Sequence, residues 1–268
     1  MIKIILSDID GTFLKNDKTI SELHIKAAKE ILAQGKKFAM VSARMPEAIY
    51  PITDGIGLPR IPVISYSGAL VLTENEKILY NKKMPLDDTK NILAAIDGGW
   101  TGDFAVNYYT GRKWYVREIE KRVQREIDIT QATAEIGNFE ELIAENILPN
   151  KILIMCEPPT CEDMEKKLGA QFPKLNVVRS APHLLEIMDK SVSKAAGIEI
   201  LLKHYNIKIE EAVAFGDNYN DVEMLQYIPQ SVAMKNAPPP IQKIASAVTD
   251  SNEDGGIYTY LKKIGVIA

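Results

Sequence analysis

The chain has 268 residues, 46% hydrophobic and 25% charged, with a net charge of −4. That length and balance suit one large domain or two smaller ones with a real core, and the scattered Lys and Arg form no basic stripe of the kind nucleic acid requires. No apolar run approaches bilayer-spanning length, and Met1-Ile2-Lys3 leads directly into a strand rather than a secretory signal, so the expectation is a cytoplasmic protein with no membrane partner.

Ile2 to Leu6 reads as a short buried strand, too brief for a helix, and it runs into Asp8-Ile9-Asp10-Gly11-Thr12. The C-terminal edge of an open α/β sheet is where ligands bind, and acids at i and i+2 on an extended segment project to one side. Two carboxylates so placed suit phosphoryl transfer through a carboxylate nucleophile, with a hard cation such as Mg²⁺ relieving their repulsion. Next, Ser21 can cap a helix from Glu22 to about Gln34, with Ile25, Ala28, Ile31 and Leu32 on one face and Gly35 ending it. Phe38 to Val41 is a second buried strand, which makes a βαβ unit with parallel neighbours. Ser42-Ala43-Arg44 then lies on the same sheet edge as Asp8, where a hydroxyl and free backbone N–H groups suit a phosphate oxygen, and Pro46 opens a helix. Pro62 to Ser65 is a third strand, Ser67-Gly68-Ala69 a tight loop, and Val71-Leu72 with Ile78 to Tyr80 a small hairpin.

From Met84 the pattern changes. A helix over Leu86 to Ile96 precedes a hairpin of Asp103 to Tyr109 and Lys113 to Arg117. A helix at Phe139 to Glu145, a strand at Ile152 to Cys156, a helix opening near Pro159, and strands Asn176 to Arg179 and Leu184 to Met188 follow. Antiparallel strands mixed with helices point to an inserted α+β module of about a hundred residues. Cys156 and Cys161 lack companions with metal-ligand spacing and are expected as free buried thiols. The hairpin rings Tyr108, Tyr109, Trp114 and Tyr115 are candidates for substrate selection, although strand alternation assigns half of them to the core.

Ser193 can cap a further helix and puts Lys194 in its first turn, where a cation opposes the macrodipole and calls for an anion nearby. Ala212 to Phe215 is another strand, ending in a second acidic cluster, Gly216-Asp217-Asn218-Tyr219-Asn220-Asp221. Val232 to Met234 is a short strand before Lys235-Asn236, Pro238-Pro239-Pro240 marks a helix entry, and a terminal helix starts near Gly256.

Asp8-x-Asp10-Gly11-Thr12, Ser42, Lys194 and Gly216-Asp217-x-x-Asn220-Asp221, in that order, resemble the four motifs of the haloacid dehalogenase-like phosphohydrolases. The stretch between Ser42 and Lys194 resembles the type-two cap of the Cof-type subfamily, and Lys113 to Val116, Leu185 to Met188 and Met234 to Ala237 are also similar to that subfamily. The resemblance implies an α/β fold: a Rossmann-like parallel-sheet core of residues 1–83 and 189–268, and an α+β cap of residues 84–188. It implies Asp8 as nucleophile and Asp10 as general acid and base. Ser42 with Ala43 and Arg44, together with Lys194 and Asn220, would then hold the phosphate. Mg²⁺ would be bound by Asp8 and Asp217 and the Asp10 backbone carbonyl, with Asp221 in support. The implied partner is a small phosphorylated metabolite such as a sugar phosphate or cofactor, acted on by a monomer or weak dimer. A phosphosugar mutase of the same fold is the alternative activity, and a phospho-signalling receiver or phosphate sensor the non-enzymatic one. Two positions depart from the family pattern, Ala43 in place of Gly and Ser67 in place of Asn.

Overall fold

The computed structural model describes all of residues 1–268. The chain folds into two compact units, one of Met1–Arg44, Ile52–Tyr80 and Ser193–Ala268, the other of Met45–Pro51 and Asn81–Val192.

The chain opens with β1 (Ile4–Ser7), α1 (Glu22–Ala33) and β2 (Lys37–Val41) of the first unit, then α2 (Pro46–Asp54), whose first six residues belong to the second unit, and then β3 (Val63–Ser65), β4 (Leu70–Leu72) and β5 (Ile78–Asn81). The second unit carries α3 (Leu86–Gly99), β6 (Phe104–Thr110), β7 (Lys113–Val116), α4 (Lys121–Thr130), β8 (Glu135–Ile136) and α5 (Phe139–Ala144). It ends with β9 (Lys151–Cys156), α6 (Pro158–Gln171), β10 (Leu175–Ala181) and β11 (Leu184–Asp189). The chain then returns to the first unit as α7 (Lys194–Tyr205), β12 (Ala212–Gly216), α8 (Val222–Tyr227), β13 (Gln230–Ala233), α9 (Pro239–Ile244), β14 (Ala247–Val248) and α10 (Gly256–Lys263). None of these helices is long and apolar enough to cross a membrane.

The first unit is an α/β Rossmann-like core. Its eight strands run in the order β14-β13-β12-β1-β2-β3-β4-β5, parallel from β14 to β3 and antiparallel at β4. β1 is central and buried along its whole length, which explains why it reads as a continuous apolar run rather than an alternating one. On one face Ile4, Leu6, Ala39, Val41 and Ala214 pack against Ile198, Leu201 and Leu202 of α7. α1 begins where expected, but the Ser21 side chain makes no capping bond.

The second unit has a six-stranded sheet in the order β10-β11-β9-β6-β7-β8, antiparallel except for the β7–β8 pair. The hairpin rings turn out to be packing residues: Tyr108, Tyr109 and Trp114 are buried, and Tyr115 is half-buried. Alternation places Tyr108 against Phe139, whereas Tyr109 stacks on Trp114 across the hairpin. The cysteines are a correction: Cys156 and Cys161 are joined by a disulfide, with Cα atoms 5.7 Å apart. One ends β9 and the other lies in the first turn of α6, so the strand-to-helix reversal brings them together, which spacing alone did not reveal.

Candidate active site

β1 and β12 are parallel neighbours with Ser7 opposite Phe215, so the residues that follow each strand emerge side by side at the C-terminal edge. Asp8 N donates to Phe215 O at 3.0 Å, fixing the first acid beside the second acidic loop. Carboxylate oxygens of Asp8, Asp217 and Asp221 all lie within 4.8 Å of one another, although more than two hundred positions separate the first from the other two. All three side chains are buried.

Two glycines make this convergence possible. Gly11 has φ +83°, and a Cβ there would lie 2.3 Å from Asp217 Oδ2. At Gly216 a Cβ would sit 2.7 Å from the Asp221 carboxyl carbon. Both loops therefore approach too closely for any side chain. Thr12 Oγ1 donates to Asp217 Oδ1 at 2.7 Å, which orients that acid. Asp221 Oδ2 accepts from the backbone N–H groups of Asp217 and Asn218 at 2.9 and 3.0 Å, so Asp221 braces the loop that carries Asp217.

Lys194 is the one cation in this floor. Its ammonium donates to Asp8 Oδ1 and Asp221 Oδ1, both at 2.5 Å, and the side chain is almost wholly buried. The anion that its position at the start of α7 called for is thus a pair of carboxylates, while Ser193 Oγ caps the helix by accepting from Ala196 N. Burial alone would favour the neutral amine, yet the two carboxylates hold the Lys194 pKa above its usual value. Asp8 is pushed well above the carboxylate range, first by burial and then by Asp221 and Asp217, against the pull of Lys194. Asp217 is pushed up to about 6, chiefly by burial, with Asp221 adding to it and the Thr12 bond opposing.

Three buried acids facing one ammonium leave excess negative charge, which the raised carboxylates express. An all-oxygen donor set of this kind fits a hard divalent cation.

The rim is different. Asp10 lies outside the three-acid cluster, with a side chain 42% exposed. Arg44 grips it in a fork, Nε to Oδ2 and Nη2 to Oδ1, each 2.8 Å, and Lys18 reaches Oδ1 at 2.9 Å. Burial would raise its pKa, but the Arg44 bonds and charge, then Lys18, bring it down to about 2. The structure therefore engages Arg44 with Asp10 as well as placing it in the loop expected to hold phosphate. Ser42 is buried, and its Oγ accepts from Arg44 N at 3.2 Å, which leaves its own proton available to a ligand oxygen. Ala43 is half-buried and has no left-handed φ, so the position does not need the family's Gly. Ser67 does have one, φ +52°, a conformation that Asn tolerates better than most residues. Asn220 is exposed on the acidic loop.

Sequence reasoning gave no role to Thr12, whose signal was its place inside the acidic motif, or to Lys18. Lys18 sits in the turn Asn16-Asp17-Lys18, an unremarkable polar loop in sequence, and folds back on Asp10 with φ +67°.

Residues 5–261 match the family of haloacid dehalogenase-like hydrolases. A Haemophilus influenzae protein provisionally named a phosphatase is 32% identical over 98% of both chains. A Bacillus subtilis protein named 5-amino-6-(5-phospho-D-ribitylamino)uracil phosphatase is 24% identical over 97% of this chain and 96% of its own. The crystal structure of a Thermotoga maritima protein superposes with a TM-score of 0.87 at 25% identity, covering 98% of this chain and 97% of that one.

Proposed function

Because the chain belongs to the haloacid dehalogenase-like hydrolases, we propose that it is a Mg²⁺-dependent phosphatase that hydrolyses small phosphomonoesters through a phosphorylated Asp8. The observation that carries this reading is the meeting of Asp8, Asp217 and Asp221 around Lys194. Asp8 and Asp217, with the Asp10 backbone carbonyl, would hold the ion, and Asp221 would support it through the loop it braces. The ion supplies charge neutralisation that keeps both carboxylates ionised and screens an incoming phosphate dianion.

Lys194 donates to Asp8 Oδ1 and so steadies the carboxylate that attacks phosphorus. Attack forms the Asp8–phosphorus bond as the bond to the leaving oxygen breaks. Asp10 gives that oxygen its proton, then takes a proton from the water that attacks the phosphoaspartate and frees inorganic phosphate. The Arg44 fork favours ionised Asp10, which suits the base step; protonating Asp10 for the acid step requires Arg44 to release it. Ser42 and the loop N–H groups behind it suit the phosphoryl oxygens, and a freed Arg44 guanidinium would add a fork for the same group.

The named substrate of the Bacillus relative, a phosphorylated ribityl compound, supports a sugar-phosphate-like substrate. A panel of phosphorylated metabolites, assayed for phosphate release with Mg²⁺ and with EDTA, tests the reading. Turnover confined to the Mg²⁺ arm is expected, and equal turnover in EDTA overturns the metal requirement. Asp10→Asn should lower hydrolysis of an aryl phosphate by about 10²- to 10⁴-fold, and an unchanged rate would remove its assigned role.

A further inference from the structure

Two side-chain amides from the C-terminal part of the chain reach back into the turn behind the nucleophile. Asn236 Nδ2 donates to Gly11 O at 2.8 Å, and its Oδ1 accepts from Asn252 N at 3.1 Å. Asn252 Nδ2 in turn donates to Leu14 O at 2.8 Å, and Glu253 Oε1 accepts from Asn16 N at 2.8 Å. Both ends of the turn from Gly11 to Leu14 are therefore clasped, one from the loop between β13 and α9 and the other from the loop between β14 and α10.

The clasp acts where the turn is most free to move. Gly11 has no side chain, and the carbonyl that Asn236 holds belongs to the peptide that sets the direction of Thr12. Thr12 is the residue that orients Asp217 through its hydroxyl. An unbroken path thus runs from Asn252 through Asn236, Gly11 and Thr12 to Asp217.

A second observation separates this arrangement from ordinary packing. Asn252 is completely buried, yet its Oδ1 accepts no hydrogen bond. A buried acceptor without a donor weakens a fold, so stability alone does not account for an amide here. What the side chain contributes is its Nδ2, which holds Leu14 O, while the bond to Asn236 comes from the Asn252 backbone N–H.

We propose that Asn236 and Asn252 are positioning residues for the cation site, clamping the Gly11–Leu14 turn so that Thr12 holds Asp217 in register with Asp8. This rests on the reading of the three acids as a divalent-ion site. Asn236 is exposed, so Asn236→Ala removes the strut without emptying a core position. Titrating Mg²⁺ or Mn²⁺ into the full-length chain by calorimetry should show the dissociation constant rising about tenfold or more, the range for partners that orient metal ligands. The thermal midpoint of the metal-free variant in EDTA should match that of the parent chain. Gln242→Ala is the control, because Gln242 ties down the same loop through Lys235 O and Ala237 O without touching the turn, and it should bind the ion normally. Parental affinity in Asn236→Ala, or equal weakening in Gln242→Ala, overturns the proposal while leaving the site intact. A parent chain that binds neither ion overturns the site itself, and this proposal with it.

Discussion

Asp8 and Asp10 stand two residues apart on one strand end, and the structure drives them in opposite directions. On the floor, Asp8 is buried among two other acids with a single ammonium between them, and its proton is held more tightly than usual. On the rim, Asp10 is clasped by a guanidinium and a second ammonium, and its proton is lost down to about pH 2. Chemically identical side chains are divided by the number and sign of the charges around them and by access to water. The floor stores unbalanced negative charge that a cation can relieve, whereas the rim is already neutralised by groups able to move.

The largest effect should come from the floor. Asp8→Asn removes the attacking carboxylate and should lower aryl phosphate hydrolysis by roughly four orders of magnitude. Steady-state assays would check this, and residual turnover within tenfold of the parent would shift the nucleophile elsewhere.

Lys194→Met should destabilise the metal-free protein by about 3 to 5 kcal/mol, because it leaves buried carboxylates without their counter-charge. Denaturant melts in EDTA would show it, and saturating Mg²⁺ should restore part of the loss. If the variant melts like the parent, the floor is not electrostatically loaded.

The raised Asp217 predicts an unusual pH dependence. A carboxylate whose folded pKa exceeds its unfolded value binds more protons when folded, so its contribution to stability falls as pH rises from about 4 to about 6. The swing is about 3 kcal/mol for a shift of roughly two units. Melts of the metal-free chain across that range should show this slope, to which the raised Asp8 adds in the same direction, and Asp217→Asn should remove Asp217's share of it. His24 slopes the other way over a neighbouring range. It is buried, with Nδ1 donating to Phe13 O and Nε2 accepting from Ile257 N, and burial lowers its pKa, so stability falls as pH drops below its usual value near 6.5. Comparing Asp217→Asn with the parent isolates the acid.

The smallest stability effect belongs to the rim. Arg44→Lys loses the fork on a half-exposed Asp10 and should alter stability by no more than about 1 kcal/mol, in contrast to Lys194→Met. The same change should lower kcat, since a single ammonium positions Asp10 less well. A destabilisation as large as that of Lys194→Met would erase the distinction between floor and rim.

Much of this was legible in one dimension. Short apolar runs and their breakers located β1, β2, β3 and β12, because a central parallel strand must be apolar on both faces, and also β9, an antiparallel strand that is nonetheless buried along its whole length. Lys194 could be singled out because a cation in the first turn of a helix contradicts the dipole unless an anion meets it. α4 and α8 were missed: the first is a predominantly polar surface helix, and the second is a single short turn following the acidic loop.

Residue order and chemical type alone determined that acids would stand at the ends of two buried strands, that a lysine would begin a helix, and that a mixed module would interrupt the parallel sheet. Only the tertiary structure decided that β1 and β12 are neighbours, that Arg44 and Lys18 close on Asp10 while Lys194 takes Asp8, that Cys156 joins Cys161, and that Asn236 holds Gly11. Local pattern is set by periodicity and turn chemistry within a few residues. Partner choice between charges is set by which loops the sheet register brings within about 3 Å, and that distance carries no trace in the spacing of the chain.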